Sequence, residues 1–416
     1  MRIAQIAPLQ VAVPPHTYGG TERVVANLTE ALVRAGHDVT LFASGDSQTS
    51  ARLISPAPRA LGFHADVDAQ AYHLAMLHDI YAYAHHFDII HSHLDYLTLP
   101  FAEQSDTPTV ITLHGRLDAP AHRRVFQSYR DVPLIAISAS QRNELPGVNW
   151  LATIHHSVDV ADFPYSPTTG KYLAFVGRIS PEKRPDTAIE VAKLAGIPLK
   201  IAAKVDPKDQ KYFEREVKPL LDHPLIEYLG VVDEQAKRQL MRDALALLSP
   251  IDWPEPFGMV FIESLACGTP VLTCPRGSAP ELLRDGVTGY MRTSVAELAA
   301  AAQQVASVSR AGCRAYAERH FNLDRMAQEY TEAFGLARQA ALPIAAVAPL
   351  APVAPLAERR MSVGALTPLV GDPTAGLVEA TGKRAGVIGV SNLTSAYGSG
   401  SEHELEQFDL PMQASK

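Results

Sequence analysis

The chain has 416 residues, of which 47% are hydrophobic and 20% charged, with a formal net charge of −8. This is an ordinary globular composition with room for two or three domains, and the acidic balance argues against nucleic acid as a partner. Cys267, Cys274 and Cys313 have no metal-ligand spacing and suit a reducing compartment. Met1 to Pro8 carries one charged side chain and too short an apolar run for a signal peptide. No apolar run approaches the ~20 residues that span a bilayer. The expected location is cytoplasmic, with peripheral membrane contact left open.

The first strand is expected at Arg2–Pro8. A loop ending Tyr18-Gly19-Gly20-Thr21-Glu22-Arg23 follows, then apolar residues at helical spacing (Val24, Val25, Leu28, Ala31, Leu32) up to Gly36. Val39–Phe42 reads as the next strand. This βαβ start carries a glycine pair but not the G-x-G-x-x-G fingerprint, and the pair alone fits a tight turn equally well. Residues 46–68 read as loop and Ala69–His85 as helix. Asp88–Ser92, Thr109–Leu113 and Leu134–Ile137 read as strands, with helices near 95–103, 121–129 and 139–145 between them. Such alternation predicts a parallel sheet covered on both faces. His114-Gly115 follows a strand directly, where ligands sit in open α/β sheets; a histidine bonded only to nearby backbone is the alternative.

Proline and turn residues accumulate at 160–170, which places a domain boundary there. The pattern then restarts. Strands are expected at 172–176, 198–203, 225–229, 246–250 and 270–273, and helices at 185–196, 207–221 and 233–243. Arg178 and Lys183 fall in the first strand-to-helix loop of this half, where two cations can neutralise a diphosphate. Shorter helices are expected at 279–283, 295–307 and 310–319, with a turn at Gly286–Gly289 and a last amphipathic helix at 323–338. The predicted domains are 1–165 and 166–340. Residues 341–416, with Ala-Pro alternation followed by scattered Gly, Ser and Thr, read as a linker and a disordered tail.

The most informative stretch is Asp252-Trp-Pro-Glu255-Pro-Phe257-Gly258-Met259-Val-Phe-Ile-Glu263. Ala246–Pro250 before it reads as a buried strand, and Val260–Ala266 as a short helix. Glu255 sits in the turn and Glu263 within the helix. The free N–H groups of Phe257, Gly258 and Met259 favour an anion, and Gly258 allows close approach. The spacing alone also allows Glu255 to cap the helix and Glu263 to face solvent. Together with Arg178 and Lys183 it describes a site for an elongated, polyhydroxylated anion.

These residues carry a resemblance. Glu255-Pro-Phe-Gly…Glu263, Ala266-Cys-Gly-Thr-Pro-Val271, Arg276-Gly-Ser-Ala-Pro-Glu-Leu-Leu283, Asp285-Gly-Val-Thr-Gly-Tyr290, Gly177-Arg178…Pro181-Glu-Lys183, Tyr18–Arg23 and His114-Gly115 occur in the order of a known family. Over residues 1–340 the chain resembles the retaining glycosyltransferases of family 4, of the GT-B fold. The resemblance implies two Rossmann-like doubly wound domains facing across a cleft. The first would take the acceptor (a sugar, glycan, lipid or small molecule), and the second would hold a nucleotide-sugar co-substrate, with no other cofactor and no metal. Arg178 and Lys183, with the Gly20 backbone, would bind the diphosphate, Glu263 the ribose, and the N–H groups of Phe257, Gly258 and Met259 sugar or phosphate oxygens. Glu255 would work beside the reacting carbon, and His114 would reach the sugar from the other domain. The last helix would pack back on the first domain. The chain departs from the family at Arg184, where glycine is common, and at His156-Ser157, where Asn-Gly is common.

Two other functions fit the same residues. A phosphorylase would cleave with inorganic phosphate and no nucleotide. A non-catalytic nucleotide-sugar scaffold would bind without transfer, although it would not need both glutamates and both cations. His85, His86, His91 and His93 invite a metal reading, but no further Cys or His completes a set, and Asp66-Val67-Asp68 lies in a loop entering a helix. No metal ligands are assigned.

Overall fold

The computed structural model describes residues 1–16, 19–63 and 67–341. Strands β1 (Arg2–Ile6), β2 (Asp38–Phe42), β3 (Arg52–Ile54), β4 (Ile89–Ser92), β5 (Thr109–Thr112), β6 (Leu134–Ala136) and β7 (Trp150–Thr153) form a parallel sheet in the order β3-β2-β1-β4-β5-β6-β7. Strands β8 (Leu173–Ile179), β9 (Leu199–Val205), β10 (Ile226–Gly230), β11 (Ala246–Ser249), β12 (Val271–Thr273) and β13 (Gly289–Met291) form a second, in the order β10-β9-β8-β11-β12-β13. The helices are α1 (Gly20–Arg34), α2 (Ala69–Ala82), α3 (Leu99–Glu103), α4 (Pro120–Ser128), α5 (Ala139–Asn143), α6 (Pro185–Ala195), α7 (Gln210–Tyr212), α8 (Glu234–Arg242), α9 (Met259–Ala266), α10 (Ala279–Leu282), α11 (Val295–Gln304), α12 (Arg310–His320) and α13 (Leu323–Ala341). The fold is GT-B, with two Rossmann-like sheets.

Strand order reverses between β1 and β4 in one sheet and between β8 and β11 in the other. Connections leave in opposite directions at such a point and open a crevice at the strands' carboxyl ends. Near-continuous apolar inner strands, such as β1, β4, β5 and β11, are covered on both faces. Ile3, Ile89, Val110 and Ile135 share one core with α1 and α13. Ala4, Ile6 and Ile90 share another with α2.

Helix α13 binds the second half of the chain back to the first. Leu323, Met326, Ala327, Tyr330, Ala333, Phe334 and Ala337 form one buried stripe at helical spacing, packed on Ile3, Leu28 and Ile89. Each large side chain so buried contributes roughly 1.5–3 kcal/mol. The return of the last helix to the first domain matches what the family resemblance implied.

Three strands escaped the sequence pattern. β3 and β7 are edge strands of three and four residues with no fully buried residue, too short for a strand period to stand out. β13 begins at Gly289, within the expected turn; a Cβ there would lie 1.9 Å from the Val271 carbonyl oxygen, so only glycine lets this strand pair with β12. The helix expected at 207–221 breaks into short 3-10, α and π turns, consistent with Pro219, which supplies no N–H. β8 extends to Ile179, paired with β9 as far as Val205, so Arg178 stands on the strand and not in the loop. α13 takes in Ala341, and the expectations for 342–416, Tyr18 and Asp66 fall outside the described residues. Asp68 caps α2 by accepting from the N–H groups of Gln70 and Ala71. Among the described residues no helix is long and apolar enough to cross a membrane, and no group of three or more His, Cys, Asp or Glu is placed to hold a metal ion.

Candidate active site

A cavity of about 520 Å³ lies where the carboxyl ends of the two sheets face each other. Gly20, His114, Arg178, Lys183, Glu255, Phe257, Gly258, Met259 and Glu263 all line it. The connection after β11 supplies the most. It turns at Pro254 and Pro256 and enters α9 through Gly258, whose φ is 86°. A Cβ on Gly258 would also lie 2.7 Å from the Phe261 ring, so glycine is required twice over. No side chain caps the α9 start. Glu255 is therefore not the cap, and the helix-start N–H groups remain available to an anion.

Glu255 and Glu263 are both buried, at 7% and 3% exposure. Neither is a solvated surface residue. Lys183 Nζ and, at 3.0 Å, Trp253 Nε1 both donate to Glu255 Oε2. Lys183 also lies 5.2 Å from the Trp253 ring centre. Glu263 accepts from Lys237 Nζ with both oxygens, at 3.0 and 3.1 Å.

Arg178 is ringed by Asp209, Asp206 and Glu182 at 3.3, 3.6 and 3.8 Å. Its Nε and the facing Asp209 and Glu182 oxygens form no hydrogen bond. The guanidinium is held by ion pairs and makes no hydrogen bond through Nε, so an incoming anion can compete with these carboxylates for it. Arg184 turns away from the cavity to Asp186 and Asp252, at 3.0 and 3.2 Å. Its φ of 53° explains why glycine suits the position. Relief of left-handed strain, about 1–2 kcal/mol, opposes loss of two half-exposed ion pairs, about 0.2–1 kcal/mol each. Arg184→Gly should therefore shift the unfolding free energy by no more than about 1.5 kcal/mol either way and leave ligand binding unchanged. Denaturant melts check this; a loss of several kcal/mol or weakened binding would show that Arg184 supports the cavity.

The first sheet closes the other side. His114 follows β5, and His93 Nδ1 stands 2.7 Å from its Nε2. His156 stacks on His114 with centroids 5.2 Å apart, and packs tilted against Phe257 at 4.7 Å. His156-Ser157 thus fills the interface between the halves. Burial pushes His114 down to about 3 and His156 well below the usual histidine range. Glu22 also lines the cavity, and burial raises its carboxyl.

Other bonds join the two halves across the cleft. Arg23 of α1 pairs with Glu234 of α8 at 2.9 Å, the Ser138 hydroxyl donates to the Pro256 carbonyl at 2.6 Å, and the first N–H groups of α5 donate to Glu281. Lys237, Trp253, His156 and Glu22 were not foreseen. Lys237 and Glu234 look like an ordinary i,i+3 surface pair, and no local signal marks them. Trp253, two residues before Glu255, was the one that spacing could have found.

Cations, a helix start and two buried carboxylates thus meet at the carboxyl edges of two facing Rossmann-like sheets. The family model described as glycosyltransferase family 4 matches residues 18–165, and that of glycosyl transferases group 1 matches 162–319. The chain belongs to this family of glycosyltransferases. It is 29% identical over 349 residues to the glycogen synthase of Mycobacterium tuberculosis, covering 70% of this chain and 83% of that one. It is 26% identical over 324 residues to the phosphatidyl-myo-inositol mannosyltransferase of Mycolicibacterium smegmatis, covering 70% and 80%. Among solved structures, Anabaena HepE in complex with UDP and glucose superposes with a TM-score of 0.64 at 20% identity, over 81% of this chain and all of that one.

Proposed function

We propose that the enzyme transfers a sugar from a nucleotide-sugar donor to a sugar, glycan, lipid or small-molecule acceptor, with retention of anomeric configuration and without a metal. One observation carries this reading: two cations, an uncapped helix start and two buried carboxylates converge on one cavity.

When the anomeric C–O bond breaks, negative charge grows on the leaving diphosphate and positive charge on the sugar. Arg178, Lys183 and the N–H groups at the start of α9 stabilise the first, as preorganised dipoles do elsewhere. Glu255 stands on the sugar side and steadies the second, held by Trp253 and Lys183. Glu263 receives the ribose hydroxyls. The acceptor oxygen bonds to the anomeric carbon on the face the phosphate leaves, and a phosphate oxygen takes the acceptor's proton. His114 and the Gly20 backbone meet the donor from the first domain.

The test is a thermal-shift screen of UDP-, GDP- and ADP-sugars, followed by transfer assays with the stabilising donor. A donor at 100 times its Kd should add about 2.7 kcal/mol of stability. No stabilisation by any nucleotide-sugar, with cleavage driven by inorganic phosphate, would replace this reading with a phosphorylase. Donor binding without transfer to any acceptor would leave a scaffold. Because two cations take the place a metal would fill, transfer should continue in excess EDTA. Loss of most activity, restored by magnesium or manganese, would overturn metal independence.

A further inference from the structure

The ring of His114 that faces the cavity is the end of a buried hydrogen-bond chain that starts on the last helix. Tyr330 of α13 places its hydroxyl 3.1 Å from Thr112 Oγ1. Thr112 Oγ1 lies 2.7 Å from His91 Nε2, and His91 Nδ1 lies 2.9 Å from Gln5 Oε1. Gln5 Nε2 lies 3.2 Å from His93 Nε2, and His93 Nδ1 lies 2.7 Å from His114 Nε2. Gln5, His91, Thr112 and Tyr330 are fully buried, and His93 is 2% exposed. Among the described residues, His114 Nδ1 has no protein partner, while its ring lines the cavity.

We infer that this chain locks His114 as its Nδ1–H tautomer, so that His93 is a positioning residue which makes His114 a hydrogen-bond donor to an oxygen of the bound sugar. The inference rests on the proposed function for the identity of that sugar. Its direction comes from the far end. Every inner member could be reversed, including Gln5 by a turn of its amide. Tyr330 cannot be reversed freely. Its hydroxyl has Thr112 as sole hydrogen-bond partner among the described residues. Were it to accept, its own O–H would be buried without a partner and bear the full desolvation penalty of an unpaired donor. Tyr330 therefore donates to Thr112, Thr112 to His91 Nε2, His91 Nδ1–H to Gln5, Gln5 to His93 Nε2, and His93 Nδ1–H to His114 Nε2. The remaining proton of His114 sits on Nδ1, the nitrogen left for the ligand. All three rings are neutral at ordinary pH because they are buried: His91 and His114 are pushed down to about 3 and His93 well below its usual range.

A neutral histidine side chain free in water prefers the opposite, Nε2–H, tautomer, so the assignment is measurable. In 15N-histidine-labelled protein at neutral pH, long-range proton–nitrogen correlations, assigned with His114→Gln, should show His114 protonated on Nδ1. Tyr330→Phe deletes only the directing hydroxyl, and should convert this signal to a mixture of tautomers. His93→Leu should lower kcat/KM for the donor about tenfold, the value of one hydrogen bond to a neutral group, and His93→Gln, whose amide N–H can replace the imidazole donor, should restore most of it. Protonation of His114 on Nε2 in the parent protein would overturn the inference. So would a His114 signal that Tyr330→Phe leaves unchanged, or equal losses in His93→Leu and His93→Gln. The spectrum is taken without donor, so failure of nucleotide-sugar binding would remove the proposed function and leave the tautomer assignment standing.

Discussion

Replacement of Glu255 by glutamine is expected to lower kcat by roughly 10²-fold or more, the loss seen when a preorganised electrostatic group is removed from a closed site, while donor affinity changes little. The side chain is buried at 7% exposure, and one oxygen, Oε2, accepts from both Lys183 and Trp253. Glutamine keeps the size of the group and one carbonyl acceptor, but removes the charge. That charge matters most when the sugar becomes cation-like, and little in the ground state. Steady-state kinetics with saturating acceptor, alongside direct measurement of donor binding, tests this. If Glu255→Gln keeps kcat and only weakens binding, Glu255 is a ground-state contact and its proposed role is wrong.

Glu263→Ala is expected to fail differently, in donor binding and in stability together. Its carboxylate is 3% exposed and bonds Lys237 with both oxygens. Removing one partner of a buried pair costs about 3–5 kcal/mol. Lys237 also pairs with Glu234 at 3.1 Å, so the loss here should lie at or below the lower end of that range. Donor KM should rise more than kcat falls, because the charge of a ribose does not change during transfer. Adding Lys237→Met should recover part of the stability without recovering donor affinity, since it removes the stranded charge but not the missing acceptor. Denaturant melts and donor titrations of both variants decide the matter. Full recovery of donor affinity in the double variant would mean that Glu263 acts only by neutralising Lys237.

Much of the site was legible because its pieces are local. The order strand, proline-bounded turn, Gly258, helix and Glu263 lies within one stretch, and each part has its own residue signature. Arg178 and Lys183 follow β8 in the same local way, although β8 proved long enough to carry Arg178 itself. The two carboxylates could have been a cap and a surface residue. Their burial, and an α9 start without a side-chain cap, rule that out.

By itself the sequence determined the alternation of strands and helices, the two-fold restart near residue 170, and the functional stretch from Asp252 to Glu263. These follow from apolar periodicity and turn chemistry, which act between neighbours a few positions apart. Only the tertiary structure decided which distant groups meet. Lys237 reaches Glu263 across 26 positions, and Arg23 reaches Glu234 across 211. Tyr330, 218 positions from Thr112, lies on an amphipathic helix whose stripe was legible in sequence, while the sheet it covers follows in the structure from packing. The weak edge strands β3 and β7 are assigned for the same reason: half-exposed residues carry little pattern, and hydrogen bonding to β2 and β6 makes them strands.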